Sequence, residues 1–261
     1  MQRWIMKKIK IFFYLLITLC FLALAGCCYE DADKEPPAVP RGLRSVTGDG
    51  EVLLVWYHNT EPDLAGYRIY RSLTATGYYY EIGETNLDYF LDFGLDNGQT
   101  YYYAISAFDC NGNESDLSYE IVYDTPRPEG YHEKIFDYTI YPDYAGWDFS
   151  AYSITSYDHP ACDFYFGYDD FNHAYYFYIG NPGGLIQDFG YTESLDEITY
   201  APEDGWSSTG IVEAILGHTY VVYTWDHHYA KFRVTAFGST YCFFDWAYQV
   251  DPNNPELVIG Q

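Results

Sequence analysis

The side chains of this chain with chemical reach are its cysteines, histidines, carboxylates and an unusual number of rings. The 261 residues include 6 Cys, 7 His, 38 acidic residues, 32 Tyr, 17 Phe and 6 Trp. Cys27 follows the triplet Leu24-Ala25-Gly26 behind an apolar run. Cys162 and Cys242 sit in strand-like runs, so they either pair in an oxidising compartment or fill a core as small apolar side chains. None of these cysteines has the C-x-x-C spacing of a zinc or redox site. The nucleophile elbow G-x-S-x-G, the zinc motif H-E-x-x-H and the phosphate loop G-x-x-x-x-G-K are all missing from the sequence. His132-Glu133 opens a zinc motif without its second His, and Gly205-Trp206-Ser207 has no Gly at position 209. Carboxylate pairs for glycoside hydrolysis stay open, because so many acids allow many pairs and only geometry decides.

Oxygen-rich turns invite a calcium reading. In Asp109-Cys110-Asn111-Gly112-Asn113-Glu114-Ser115 the Gly falls at the fourth place and not the sixth that an EF-hand loop needs, so a hairpin turn is expected. Asp169, Asp170 and Asn172 have suitable oxygens, as does the segment Asp251 to Glu256, but such turns commonly bind nothing. No metal and no cofactor is expected. The rings give a different lead. Eight of them lie between Tyr165 and Tyr178, and on a pleated strand alternate rings would enter the core while the others face solvent. Exposed ring faces stack on sugars or on protein apolar groups with little entropy cost. Tyr165, Tyr176, Tyr178 and Trp206 are the candidate ligand-stacking residues.

These residues sit on a chain with a formal charge of -25. The first 26 residues carry four cations (Arg3, Lys7, Lys8, Lys10) and no acid, so their removal takes the charge to -29. Nucleic acid is therefore not an expected partner, and a chain this acidic is repelled by anionic lipid unless it is anchored covalently. Lys7, Lys8 and Lys10 precede the apolar run Ile11 to Leu24, in the order of a secretory signal. That run is also too short for the roughly 20 residues of a bilayer span. Leu24-Ala25-Gly26-Cys27 resembles the lipobox of bacterial lipoproteins, which implies cleavage before Cys27 and diacylglycerol on its thiol. Residues 1–26 then form the signal peptide and residues 27–35 an acidic tether. Cys28 is not the Asp that retains lipoproteins of this type at the inner membrane. The resemblance thus implies a cell-envelope protein at the outer membrane, with the acidic tether compatible with surface display.

Residues 36–125 resemble a fibronectin type III domain. Pro37, Pro40 and Leu43 suit an edge strand. Val52, Leu54 and Trp56 share a face, with Trp56 at the place of the family's core tryptophan. Asp63 to Gly66 is expected to turn the chain into Tyr67-Arg68-Ile69-Tyr70-Arg71, whose faces alternate. Gly98, Gln99 and Tyr101 match the family's G-T-x-Y segment except for Gln, and the resemblance makes Tyr101 the corner tyrosine that bonds nearby backbone. Tyr103, Ile105 and Ala107 continue its inward face. The Pro-rich segment 126–130 is expected to be a semi-rigid hinge.

Residues 131–261 contain short aromatic and β-branched runs: Ile135–Tyr141, Cys162–Tyr168, Ala174–Ile179, Thr219–Trp225, Ala230–Phe237 and Tyr241–Tyr248. Turn residues lie between most of them, which predicts an antiparallel sandwich or barrel, so the chain is expected to be all-β. In Ala230–Ala236 the even positions are expected inside, with Lys231, Arg233 and Thr235 outside. The segment Gly217 to Val234 is similar to paired strands of HmuY-like haem-binding lipoproteins, with His227 where those strands carry Gly after Asp. That family holds haem with a His pair, which draws attention to His227 and His228, although strand neighbours point to opposite faces. His173 and His218 are further candidates, and a solvated hairpin loop is the plainer reading. The function read from the sequence is a membrane-anchored, non-catalytic binding or adhesion module for glycan or protein. The alternatives are a structural envelope component, a haem-binding lipoprotein and a surface glycosidase.

Overall fold

A computed structural model describes residues 33–258, and Cys27 with the signal peptide and most of the acidic tether lies outside them. The described chain is all β apart from two short 3-10 turns. The first seven strands are β1 (Arg41–Gly48), β2 (Glu51–Tyr57), β3 (Leu64–Ser72), β4 (Tyr80–Thr85), β5 (Tyr89–Phe93), β6 (Tyr101–Asp109) and β7 (Val122–Asp124). They form one sheet in the order β1-β2-β5 and another in the order β4-β3-β6-β7. This three-plus-four arrangement is that of a fibronectin type III sandwich.

Period-2 alternation explains the strands. Val52, Leu54 and Trp56 are buried on β2, and Tyr67 and Ile69 on β3, while Leu53, Val55, Arg68 and Tyr70 reach the surface in part. Trp56 meets Tyr67 edge-on, with ring centroids 5.2 Å apart. The Tyr101 hydroxyl accepts the Asp96 N–H at 3.0 Å, the corner bond that the G-x-x-Y segment implied. β3 begins at Leu64, so the expected turn at Asp63–Gly66 is already strand, with a bulge between Leu64 and Gly66. Asp109–Ser115 is a turn as expected: Asp109 Oδ1 accepts the N–H groups of Asn111 and Asn113, each at 2.8 Å.

By packing, the chain divides into two compact units. Of the described residues, one takes those up to Arg44 with Val55–Phe90 and Tyr102–Val122, and the other takes Ser45–Leu54, Leu91–Tyr101 and those from Tyr123 onward. The Pro-rich segment lies within the second unit. Thr125, Pro126, Arg127 and Pro128 are buried. The Pro126 carbonyl accepts the Gly98 N–H at 2.8 Å, and the Arg127 N–H donates to Gly48 O at 3.2 Å. The prolines of this segment restrict its backbone.

Ten further strands follow: β8 (Glu129–Phe136), β9 (Gly146–Asp148), β10 (Ser153–Thr155), β11 (Phe164–Asp169), β12 (Ala174–Ile179), β13 (Leu185–Tyr191), β14 (Ile211–Glu213), β15 (His218–Tyr223), β16 (Tyr229–Phe237) and β17 (Tyr241–Tyr248). They build two five-stranded sheets, β10-β9-β11-β12-β14 and β13-β15-β16-β17-β8. The core between them is aromatic: Trp147, Phe149, Phe164, Phe166, Phe177, Tyr220, Phe232, Phe244 and Trp246 cluster there with small aliphatics. Phe164 and Phe232 stack at 4.2 Å with planes 5° apart. Each buried ring of this size contributes about 2 to 3 kcal/mol.

Three expectations are corrected here. The run Ile135–Tyr141 is strand only to Phe136, because Asp137 takes the Thr139 N–H and hydroxyl on Oδ1 and turns the chain. Lys231 does not face solvent but is fully buried, while Ala236 is only half-buried after a bulge between Val234 and Ala236. Cys162 and Cys242 are both buried with free thiols, so the core reading holds for both. Burial pushes the Cys162 thiol up to about 12 and the Cys242 thiol well above its ordinary range, which leaves both unreactive.

Candidate functional site

β11 and β12 pair so that Tyr165 opposes Tyr178 and Gly167 opposes Tyr176. Alternation sends Phe164, Phe166 and Phe177 into the core, where each is fully buried, and leaves Tyr165, Tyr176 and Tyr178 on the outer face, half-buried. Tyr165 and Tyr178 stack at 4.9 Å with planes 11° apart. A fourth ring, Tyr138, stands across both, 5.2 Å from Tyr165 and 5.8 Å from Tyr178 at angles of 75° and 73°. Tyr157 completes the cluster, 5.2 Å from Tyr138 and 5.4 Å from Tyr165.

The surrounding chain fixes these rings. The Tyr138 N–H donates to Phe166 O at 3.0 Å, and the Tyr157 N–H donates to Pro142 O at 3.1 Å. Gly167 makes room for Tyr138: a Cβ at that position would lie 2.2 Å from Tyr138 Cδ1. Ile211 on β14 opposes Tyr178 and extends the apolar face, and Glu213 opposes Tyr176. No hydroxyl of Tyr138, Tyr157, Tyr165, Tyr176 or Tyr178 has a hydrogen-bond partner among the described residues. Burial, with Tyr138 and Asp169 nearby, pushes the Tyr178 phenol up to about 12, so it stays a neutral hydroxyl that both donates and accepts. The face therefore presents ring surfaces flanked by free hydroxyls. It can stack on an apolar plane and bond to polar groups at the rim of that plane.

The fourth sequence candidate, Trp206, belongs elsewhere. It stacks on Tyr229 at 6.4 Å, in a small cluster with Val221, Ala201 and Leu257, and is half-buried. The sequence missed Tyr138 and Tyr157, which lie in loops distant along the chain and carry no periodic signal.

The histidines are engaged locally. His218 Nδ1 lies 3.0 Å from the Asp188 carboxylate. His227 takes the left-handed place after Asp226 with φ 72°, and its Nδ1 lies 2.9 Å from the Tyr223 hydroxyl. The His228 N–H donates to Thr224 Oγ1 at 2.9 Å, closing the loop. His173, also at positive φ, ends the turn made by Asp169, whose Oδ1 accepts the N–H groups of Phe171 and Asn172. That turn carries the ring of Phe171, 91% exposed, at its tip. The Asp33, Asp63 and Asp109 carboxylates converge within 4.8 Å. Asp109 already serves Asn111 and Asn113, and these bonds outweigh its burial and hold its carboxyl below the usual range.

No protein-family model matches the chain. An amylopullulanase of Thermoanaerobacterium saccharolyticum is 34% identical over 119 residues, which are 44% of this chain and 9% of that enzyme. The chain spans less than a tenth of the length of the curated relatives it matches, all three of them amylopullulanases. Among solved structures, an Fn3-like protein from Clostridium thermocellum has 32% identity and a TM-score of 0.29, covering 32% of this chain and 88% of that one. A beta-1,2-glucanase from Parabacteroides distasonis has 25% identity and a TM-score of 0.32, covering 40% of this chain and 14% of that one. The likeness in sequence is to parts of glycan-active enzymes and to fibronectin type III-like domains.

Proposed function

We propose that this protein is a lipid-anchored, non-catalytic module of the bacterial outer membrane that holds a glycan on the tyrosine face of its second sandwich. The observation that carries this reading is the cluster of Tyr138, Tyr157, Tyr165 and Tyr178, with hydroxyls that have no partner among the described residues beside stacked rings. A sugar ring offers an apolar face and a polar edge, and the cluster offers the complement of both. The amylopullulanase likeness directs attention to α-glucans. The fibronectin type III sandwich serves as a spacer, and the acyl chains on Cys27 hold a strongly acidic chain at a membrane that would otherwise repel it.

The test is retention of the mature chain, made with Cys27→Ser so that it is free of lipid, on insoluble starch and in pullulan-containing gels. Tyr165→Ala and Tyr178→Ala should each reduce retention at least tenfold with the fold intact by circular dichroism. Retention that survives the double substitution would remove the tyrosine face from the reading. Glucan hydrolysis by the purified chain would overturn its non-catalytic part.

A further inference from the structure

The outer side of the other sheet carries a cleft of about 150 Å³ where β8, β16 and β17 meet the 3-10 turn Leu195–Glu197. Burying a basic side chain is costly unless its polar atoms are bonded, yet this chain places two of its 13 Lys and Arg residues under this one turn. Fully buried Lys231 donates from Nζ to Leu195 O at 2.7 Å and to Ile198 O at 2.8 Å. Arg127, 7% exposed, donates to Asp196 at 2.5 Å, to Glu129 at 3.2 Å and to Leu257 O at 2.7 Å. A capping box between Ser194 and Glu197 locks the start of the turn. The wall of the cleft is thus held rigid, as a recognition site requires.

The groups left facing the cleft are of three kinds. Arg233 uses Nε on Thr192 O at 2.9 Å, and its two terminal nitrogens have no hydrogen bond or ion pair among the described residues. Asp245 directly opposes Arg233 across the strands and has one oxygen on the His132 N–H. Glu193, whose Oε1 accepts the Tyr191 hydroxyl at 3.3 Å, supplies a second carboxylate. Tyr131, 65% exposed, has its hydroxyl tied to Glu129 at 2.6 Å, which fixes the ring as a side wall. A planar pair of donors matches two neighbouring oxygens, carboxylates accept from hydroxyls, and a ring covers an apolar face. The excess of carboxylates repels an anion, and the guanidinium beside them opposes a simple cation.

We infer that this cleft is a second binding site, for a single neutral sugar residue, in which the Arg233 fork and the Asp245 and Glu193 carboxylates grip neighbouring hydroxyls against Tyr131. The inference does not require the tyrosine face to bind anything. The experiment is titration of the mature chain, carrying Cys27→Ser, with glucose, galactose and N-acetylglucosamine, followed by amide NMR shifts, with inorganic phosphate and lysine as comparison ligands. At least one sugar should give saturable shifts centred on residues 193–196, 233 and 245. Arg233→Lys, which keeps the charge and loses the fork, and Asp245→Asn should each weaken that binding at least tenfold, with unchanged melting temperature. Tyr178→Ala should leave it unaltered while reducing polysaccharide retention, so that the two sites fail separately. The assignment is overturned if no sugar gives saturable shifts, if the shifts map elsewhere, if both cleft variants bind as the parent does, or if phosphate or lysine binds more tightly than every sugar.

Discussion

Tyr138 rests on Gly167, on the strand that also carries Tyr165, and the contact is so close that any side chain at position 167 would displace the ring. A β-branched residue suits a strand by propensity, so Gly167→Val isolates the effect of the ring. Its expected outcome is a changed near-ultraviolet circular dichroism signal from the coupled tyrosines and a stability loss of about 1 to 3 kcal/mol from overpacking. Glucan retention should fall with it. An unchanged tyrosine signal would show that Tyr138 is not held where the cluster needs it.

Asp163 gives a pH signature. It is 4% exposed, its Oδ2 accepts the Phe149 N–H at 2.8 Å, and its Oδ1 has no partner. Burial pushes its carboxyl up to about 7, against the help of the Phe149 N–H and with Asp148 and Asp226 adding to the rise. A carboxyl raised above its unfolded value binds more protons in the native state, so its stabilisation is present at low pH and is lost as pH rises from about 4 to about 7. The unfolding free energy of the parent minus that of Asp163→Asn, measured in urea, should fall by at most about 4 kcal/mol between pH 4 and pH 8. A difference that stays flat across that range contradicts the assignment.

Much of this was legible in the sequence. The β2 alternation, the Tyr101 corner and the inward Phe164, Phe166 and Phe177 all follow from a period of two. Strands β9, β10 and β14 were not legible, because three residues carry no period, and β13 was masked by the polar Gln187 and Asp188 in its middle. Periodicity placed three rings of the candidate face but not Tyr138 and Tyr157, which tertiary packing brings in from loops. It also placed Lys231 outside, since alternation gives the direction of a side chain but not what covers that side of the sheet.

Trp56 is 5% exposed and packs edge-on against Tyr67. Trp56→Ala should cost about 3 to 5 kcal/mol, a large part of the stability of a small sandwich. Limited proteolysis is expected to cut first within residues 55–90 and 102–122, the unit to which Trp56 belongs. Equal cutting after residue 131 would mean that the two units do not unfold separately.

Cys27 is expected to carry the lipid, because it alone follows the Leu-Ala-Gly triplet. Metabolic labelling with a fatty-acid analogue should disappear in Cys27→Ala. Label that persists, or that moves to Cys28, refutes the assignment.

Lys231 provides the sharpest test of the rigid wall beside the cleft. Its amine is fully buried, burial with Arg127 nearby pushes it down to about 6, and Asp196 and Glu129 act against that fall. Its two bonds satisfy carbonyls at both ends of the turn Leu195–Glu197, those of Leu195 and Ile198. Lys231→Met keeps most of the apolar stem and removes the donor, so it separates bonding from packing. Leaving the two carbonyls without that donor should cost about 1 to 3 kcal/mol. The loss should be local, with hydrogen exchange at residues 193–199 accelerating while exchange in the Phe164–Phe232 core keeps its parent rate. If those two regions accelerate together, Lys231 supports the whole sandwich, and the turn is no separately held wall.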